Sequence, residues 1–120
     1  MNSILLVDDD MDMMRITANW LKRSGYDVSM ASSGKEALKL LSEKKMDILI
    51  LDYAMPGMNG MELFEAIRGK EEYSSVPVIM RTGMDDIEVS SDEETSYHFE
   101  ICKKEDGKKA LLDAVGRAFG

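Results

Sequence analysis

A chain of 120 residues is long enough for one domain with a real core and too short for two. With 44% hydrophobic and 32% charged residues it has the balance of an ordinary globular chain, and no apolar run approaches the roughly 20 residues of a membrane span. The formal net charge of −8 argues against nucleic acid or an anionic membrane as a partner of this domain. That charge is uneven. Residues 85–100 (DDIEVSSDEETSYHFE) carry seven acids and no Lys or Arg, leaving 16 of the 23 acids against 15 bases elsewhere. Met1-Asn2-Ser3 offers no basic segment ahead of a signal-like core, and Cys102 is the single cysteine. A reducing compartment, the cytoplasm, is the expected location.

Short apolar runs alternate with helix-period segments along the chain. Ser3–Val7 (SILLV) is the first run and ends on Asp8-Asp9-Asp10. Met13, Ile16, Trp20 and Leu21 then recur at helical spacing, with Asp10 placed to cap them and Gly25 placed to end them. Tyr26–Ala31 reads as a short alternating strand. Ser32 and Ser33 offer caps for a second helix whose inner face holds Ala37, Leu38 and Leu41.

Met46–Leu51 is the next buried strand, followed by Asp52 and a turn through Pro56-Gly57. Gly60 opens a third helix with Leu63, Phe64 and Ile67, closed by Gly69. Val76–Met80 is a fourth strand, running into Arg81-Thr82-Gly83. Residues 85–96 contain only Ile87 and Val89 as large apolar residues, too few for an amphipathic stripe, so a short, frayed or displaced helix is expected. Phe99–Lys103 is the last strand. Lys108–Phe119 forms the final helix, with Leu111, Leu112, Val115 and Phe119 inward.

Near-continuous apolar strands alternating with helices imply an α/β domain, residues 1–120, with a parallel sheet covered on both faces. Sites in such sheets lie beyond the C-terminal ends of the strands. There the sequence places Asp8 and Asp9, then Asp52, then Thr82, then Lys103. Crowded carboxylates repel unless a cation joins them, and hard oxygen donors with room for water suit Mg²⁺. A carboxylate is also a nucleophile towards phosphorus, with a metal, an ammonium and a hydroxyl to neutralise the transferred oxygens. Asp52 stands alone before a rigid turn and is the candidate nucleophile; Asp8 and Asp9 are the candidate metal ligands.

The motifs ILLVDDD (4–10), LILDYAMPGMNGMEL (49–63) and VPVIMRTG (76–83) resemble those of the receiver domains of two-component response regulators. The resemblance runs along nearly the whole chain. It implies a doubly wound, five-stranded parallel sheet in the order 2-1-3-4-5 with about five helices, the fourth weak or irregular here. It implies phosphoryl transfer from a phosphohistidine of a histidine kinase or phosphotransfer protein to Asp52. It also implies Mg²⁺ held by Asp9, Asp52 and the carbonyl of Ala54, with Asp8 acting mainly through water. Thr82 would bond the phosphoryl group and Lys103 would pair with it. The usual Lys-Pro is replaced by Lys103-Lys104, which leaves the functional lysine open; Lys103 is preferred because it keeps Ile101 at the apolar position of the strand. The same alignment makes Phe99 and Glu100 the switch region, with Glu100 in the aromatic's place.

Weighed alone, each feature has a plainer reading: the acid triplet as a solvated cap, Thr82 as a strand end, Cys102 and the 11 methionines as core filling, His98 as a surface residue. A phosphatase of the haloacid-dehalogenase type is disfavoured, because its second aspartate would fall at Ala54. Ala54 also has no polar group to orient an attacking water, which points to a phosphoryl group that is not rapidly lost. The expectation is therefore a phosphoacceptor and not an enzyme with a separate substrate, either free-standing or part of a hybrid protein. A degenerate receiver, kept as an interaction module without phosphorylation, is the alternative.

Overall fold

A computed structural model describes residues 2–83 and 98–120 of the chain. The five strands are β1 (Ser3–Val7), β2 (Asp27–Ala31), β3 (Ile48–Asp52), β4 (Val78–Thr82) and β5 (Phe99–Lys103). All neighbouring pairs are parallel and the order is β2-β1-β3-β4-β5, as expected. Four helices are present among the described residues: α1 (Met11–Arg23), α2 (Gly34–Glu43), α3 (Gly60–Arg68) and α4 (Gly107–Phe119). The weak helix expected over 85–96 falls outside the described residues.

The central strands are apolar throughout because both faces are covered. Leu5, Val7, Leu49, Leu51, Val78 and Met80 point into one core with Ala37 and Leu41 of α2 and Leu63 and Ile67 of α3. Ile4, Leu6, Ile48, Ile50 and Ile79 point into the other, with Met14, Ala18 and Leu21 of α1 and Leu111, Ala114 and Val115 of α4. Strand alternation sorts them, since successive side chains take opposite faces.

Helix starts follow local chemistry. The Asp10 carboxylate accepts from the Asp12 and Met13 amides at 3.1 Å. Ser33 accepts from the Glu36 amide, while Glu36 returns to the Ser32 amide. Asn59 and Glu62 form a reciprocal capping box at α3.

Three sequence expectations shift. Strands β3 and β4 begin two residues later than Met46 and Val76 and end later, at Asp52 and Thr82. Met46 and Val76 are buried but precede strand pairing; Pro77 enters it only as an acceptor, its carbonyl 3.0 Å from the Leu49 amide. The inner face of α1 is Met14, Thr17, Ala18 and Leu21, whereas Ile16 is 48% exposed and Met13 and Trp20 are half-buried. Small residues let this helix lie close to the sheet, a signal that large-residue periodicity does not carry.

Tyr73, at the end of a short 3-10 turn, ties α2 to the sheet. Its buried hydroxyl lies 3.3 Å from the Met46 amide, 3.3 Å from the Leu41 carbonyl and 3.1 Å from the Lys44 carbonyl. Tyr73→Phe leaves buried backbone groups without this partner, and urea denaturation should show a loss of about 1–3 kcal/mol.

Candidate functional site

Register builds the site. Val7 is paired with Leu51, so Asp8 emerges level with Asp52 at the C-terminal edge. Asp52 and Arg81 are themselves partners across β3 and β4. One oxygen each of Asp8, Asp9 and Asp52 lies within 4.8 Å of the others, with Asp8 and Asp52 buried and Asp9 exposed. Asp8 is fixed by its own loop: its Oδ1 accepts from the Asp10 amide at 2.9 Å, and its amide donates to the Ala31 carbonyl at 3.1 Å.

The loop after β3 is held at both ends. The Tyr53 amide donates to Arg81 at 2.9 Å, and the Gly60 amide donates to Tyr53 at 2.8 Å. A Cβ on Gly60 would lie 2.7 Å from the Asp52 carbonyl oxygen and 2.8 Å from the Tyr53 Cα, so only glycine permits this closure. Between them, Gly57 takes a left-handed φ of 81° and Met55 is buried as an anchor. Ala54 lies exposed in this loop, two positions beyond Asp52.

The expected lysine is displaced by one residue. Lys104 Nζ lies 2.9 Å from Asp52 Oδ1, while Lys103 is exposed and in register with Thr82. Cys102 takes the last buried seat of β5, and the chain then turns through a 3-10 segment, Lys104–Asp106, that carries the second ammonium over the acids. Ile101 remains partly buried in the α2/α3 core, so the apolar position that favoured Lys103 does not decide between the two.

Thr82 is buried at the end of β4, one residue past the partner of Asp52. Phe99 and Glu100 lie further back on β5. Phe99 packs on Phe64 at 4.9 Å between ring centroids, and Glu100 is paired with Arg117 and with His98 Nε2. The hydrogen bond from Arg117 holds the Glu100 carboxyl below its usual range.

Two residues the sequence reading passed over complete the surroundings. Arg81 is 2% exposed and donates from Nη1 to the buried Thr17 hydroxyl at 3.2 Å. A charged residue inside the run VPVIMRTG was the available signal.

Electrostatically, the site is short of positive charge: three carboxylates gather around one contacting ammonium, Lys104. Asp52 is 2% exposed, and burial pushes its carboxyl up to about 7 from 3.8; Lys104 opposes this and the neighbouring Asp8 adds to it. Oδ1 of Asp52 is buried, and Lys104 is the one cation in contact with it among the described residues. Buried hard oxygens with spare lone pairs are the donor set a small divalent cation takes.

Comparison with known proteins bears on this arrangement. Residues 4–115 match the family model of the response regulator receiver domain. The chain is 35% identical over 119 residues to the transcriptional regulatory protein AfsQ1 of Streptomyces coelicolor, covering 98% of this chain and 51% of that protein. It is 33% identical over 113 residues to the CAI-1 autoinducer sensor kinase/phosphatase CqsS of Vibrio cholerae, covering 93% of this chain and 16% of that one. Thus it spans about half or less of these two relatives. The chemotaxis protein CheY4 of Vibrio cholerae superposes with a TM-score of 0.84 at 27% identity, over 98% of each chain.

Two outcomes follow for the metal-free protein. An Asp52 carboxyl that titrates near 7 when folded and near 3.8 when unfolded binds more protons in the folded state, so stability falls as pH rises between those values. In EDTA, Asp52→Asn should exceed wild type at pH 8 by on the order of a few kcal/mol, with the difference absent at pH 4. Gly60→Ala should cost about 1–3 kcal/mol in urea denaturation, because the neighbours it meets are backbone atoms.

Proposed function

Because this chain belongs to the response regulator receiver family, matched over residues 4–115, we propose that it is a phosphoacceptor in which Asp52 receives a phosphoryl group from the phosphohistidine of a histidine kinase or phosphotransfer protein. The observation that carries the reading is the convergence of Asp8, Asp9 and Asp52 within 4.8 Å, with the Lys104 ammonium 2.9 Å from Asp52. Asp8, Asp9, Asp52 and the carbonyl of Ala54 would hold Mg²⁺. When bound, the ion supplies charge neutralisation for the transferred phosphoryl oxygens.

The chain's own residues do the rest. An Asp52 oxygen attacks phosphorus, the N–P bond breaks, and the imidazole leaves with its electron pair, giving an aspartyl phosphate. Lys104, freed from the carboxylate, pairs with a phosphoryl oxygen, and the Thr82 hydroxyl donates to another. With Lys104 in this role, the position three residues ahead becomes Ile101 in place of Glu100. The family's aromatic switch position then holds an aliphatic side chain, and Phe99 and Glu100 flank it.

Incubation with acetyl phosphate and Mg²⁺ followed by intact-mass spectrometry tests the proposal. Wild type should gain one phosphoryl group and Asp52→Asn none. Lys104→Ala should slow phosphorylation by about 100-fold, while Lys103→Ala stays near wild type. No adduct on wild type, with either acetyl phosphate or a phosphorylated kinase as donor, would favour an interaction module that works without phosphorylation.

A further inference from the structure

Arg81 is a charge where the fold needs none. Its strand neighbours Val78, Ile79 and Met80 are all buried apolar residues, and Arg81 itself is as buried as they are. It sits two residues after Ile79, hence on the α1/α4 face of the sheet, the same face that Asp52 takes two residues after Ile50. In the sheet it lies between Asp52 on β3 and Cys102 on β5.

Its polar contacts are few. Nη1 has the Thr17 hydroxyl, Nε is buried without a partner, and no carboxylate reaches ion-pair contact with it among the described residues. An isolated buried cation is expensive, and a guanidinium does not escape the cost by losing its proton. Burial does oppose its charge; among what favours it are the fields of the Cys102 thiol, Asp8 and Asp52. The thiol is itself pushed towards its neutral form by burial, which leaves the carboxylates of Asp8 and Asp52 as the formal negative charges that act on the guanidinium among the described residues.

We propose that Arg81 is a resident counter-charge for the acid cluster, offsetting part of the negative charge of Asp8 and Asp52 and thereby lowering the affinity of the site for a divalent cation. This rests on reading the cluster as the Mg²⁺ site. With its three carboxylates ionised, as a bound cation requires, the cluster carries −2 against Lys104 alone and −1 with Arg81, and a divalent cation gains correspondingly less on entry. The guanidinium acts through space, without touching the ion, so it is a positioning and affinity-setting residue and not a ligand.

Isothermal titration of the intact chain with Mg²⁺ tests this. Arg81→Leu should tighten binding by roughly 10-fold, the scale of removing one unit charge from the neighbourhood of a divalent ion at a dielectric between protein and water. Trivalent terbium should show a larger tightening than Mg²⁺, because the effect scales with ion charge. Thr17→Val removes the hydrogen bond but leaves the guanidinium, and should change affinity less than about 2-fold, well below the effect of a charge. Arg81→Met fills the same seat with a flexible apolar chain and serves should Arg81→Leu fail to fold. Unchanged or weakened Mg²⁺ binding in the folded Arg81 variant, or equal tightening by Thr17→Val, overturns the counter-charge. Asp9→Asn distinguishes loss of the metal site from loss of the Arg81 effect. If wild type binds Mg²⁺ no better than Asp9→Asn, the metal-site reading itself falls and Arg81 with it. If only the Arg81 comparison fails, the metal site stands.

Discussion

The structure depends on one unfavourable fact: a carboxylate, Asp52, is buried at the end of the central strand beside a second buried carboxylate, Asp8. Burial and mutual repulsion both oppose this arrangement. It follows from register, because β1 and β3 are neighbours with Val7 level with Leu51, so both acids leave the sheet at the same height. The apolar strands that set this register bury enough surface to hold the acids together in spite of their repulsion. What results is a site whose ground state is short of positive charge and long on oxygen donors.

The surroundings divide the compensation among groups of different reach. Lys104 makes direct contact with Asp52 from a 3-10 turn and has the exposure to move with a change of partner. Arg81 is fixed inside the sheet and acts at a distance. Rigid supports surround both. Asp10 caps α1 and binds Asp8 through its amide, while the Gly60 amide closes the loop behind Asp52.

Much of this was legible in the sequence, for a physical reason. Strand ends carrying acids after apolar runs, and a Pro-Gly turn after one of them, are local signals, and topology gathers them without further information. Asp8, Asp9, Asp52 and Thr82 can be placed at the C-terminal edge of the sheet that way, and there they lie. Which lysine lies beside Asp52 cannot be read the same way, because that depends on where β5 ends and how the chain turns afterwards, and Ile101 is accommodated with either residue. The large residues that mark α1 in the sequence do not delimit its inner face, because Thr17 and Ala18 are small: the sequence pattern follows bulk, whereas close approach to the sheet follows its absence. Arg81 was visible as a charge in an apolar run, but only the register with Asp52 gives it meaning.

The central claim is that fold-gathered acids at positions 8, 9 and 52 form one cation site. Paramagnetic broadening by Mn²⁺ in ¹H–¹⁵N spectra of the chain measures this directly, since the ion erases the amides nearest to it. Signals of residues 8–10, 52–54 and 104 should disappear first, and excess Mg²⁺ should restore them. Broadening centred elsewhere, with those amides untouched, would contradict the central claim.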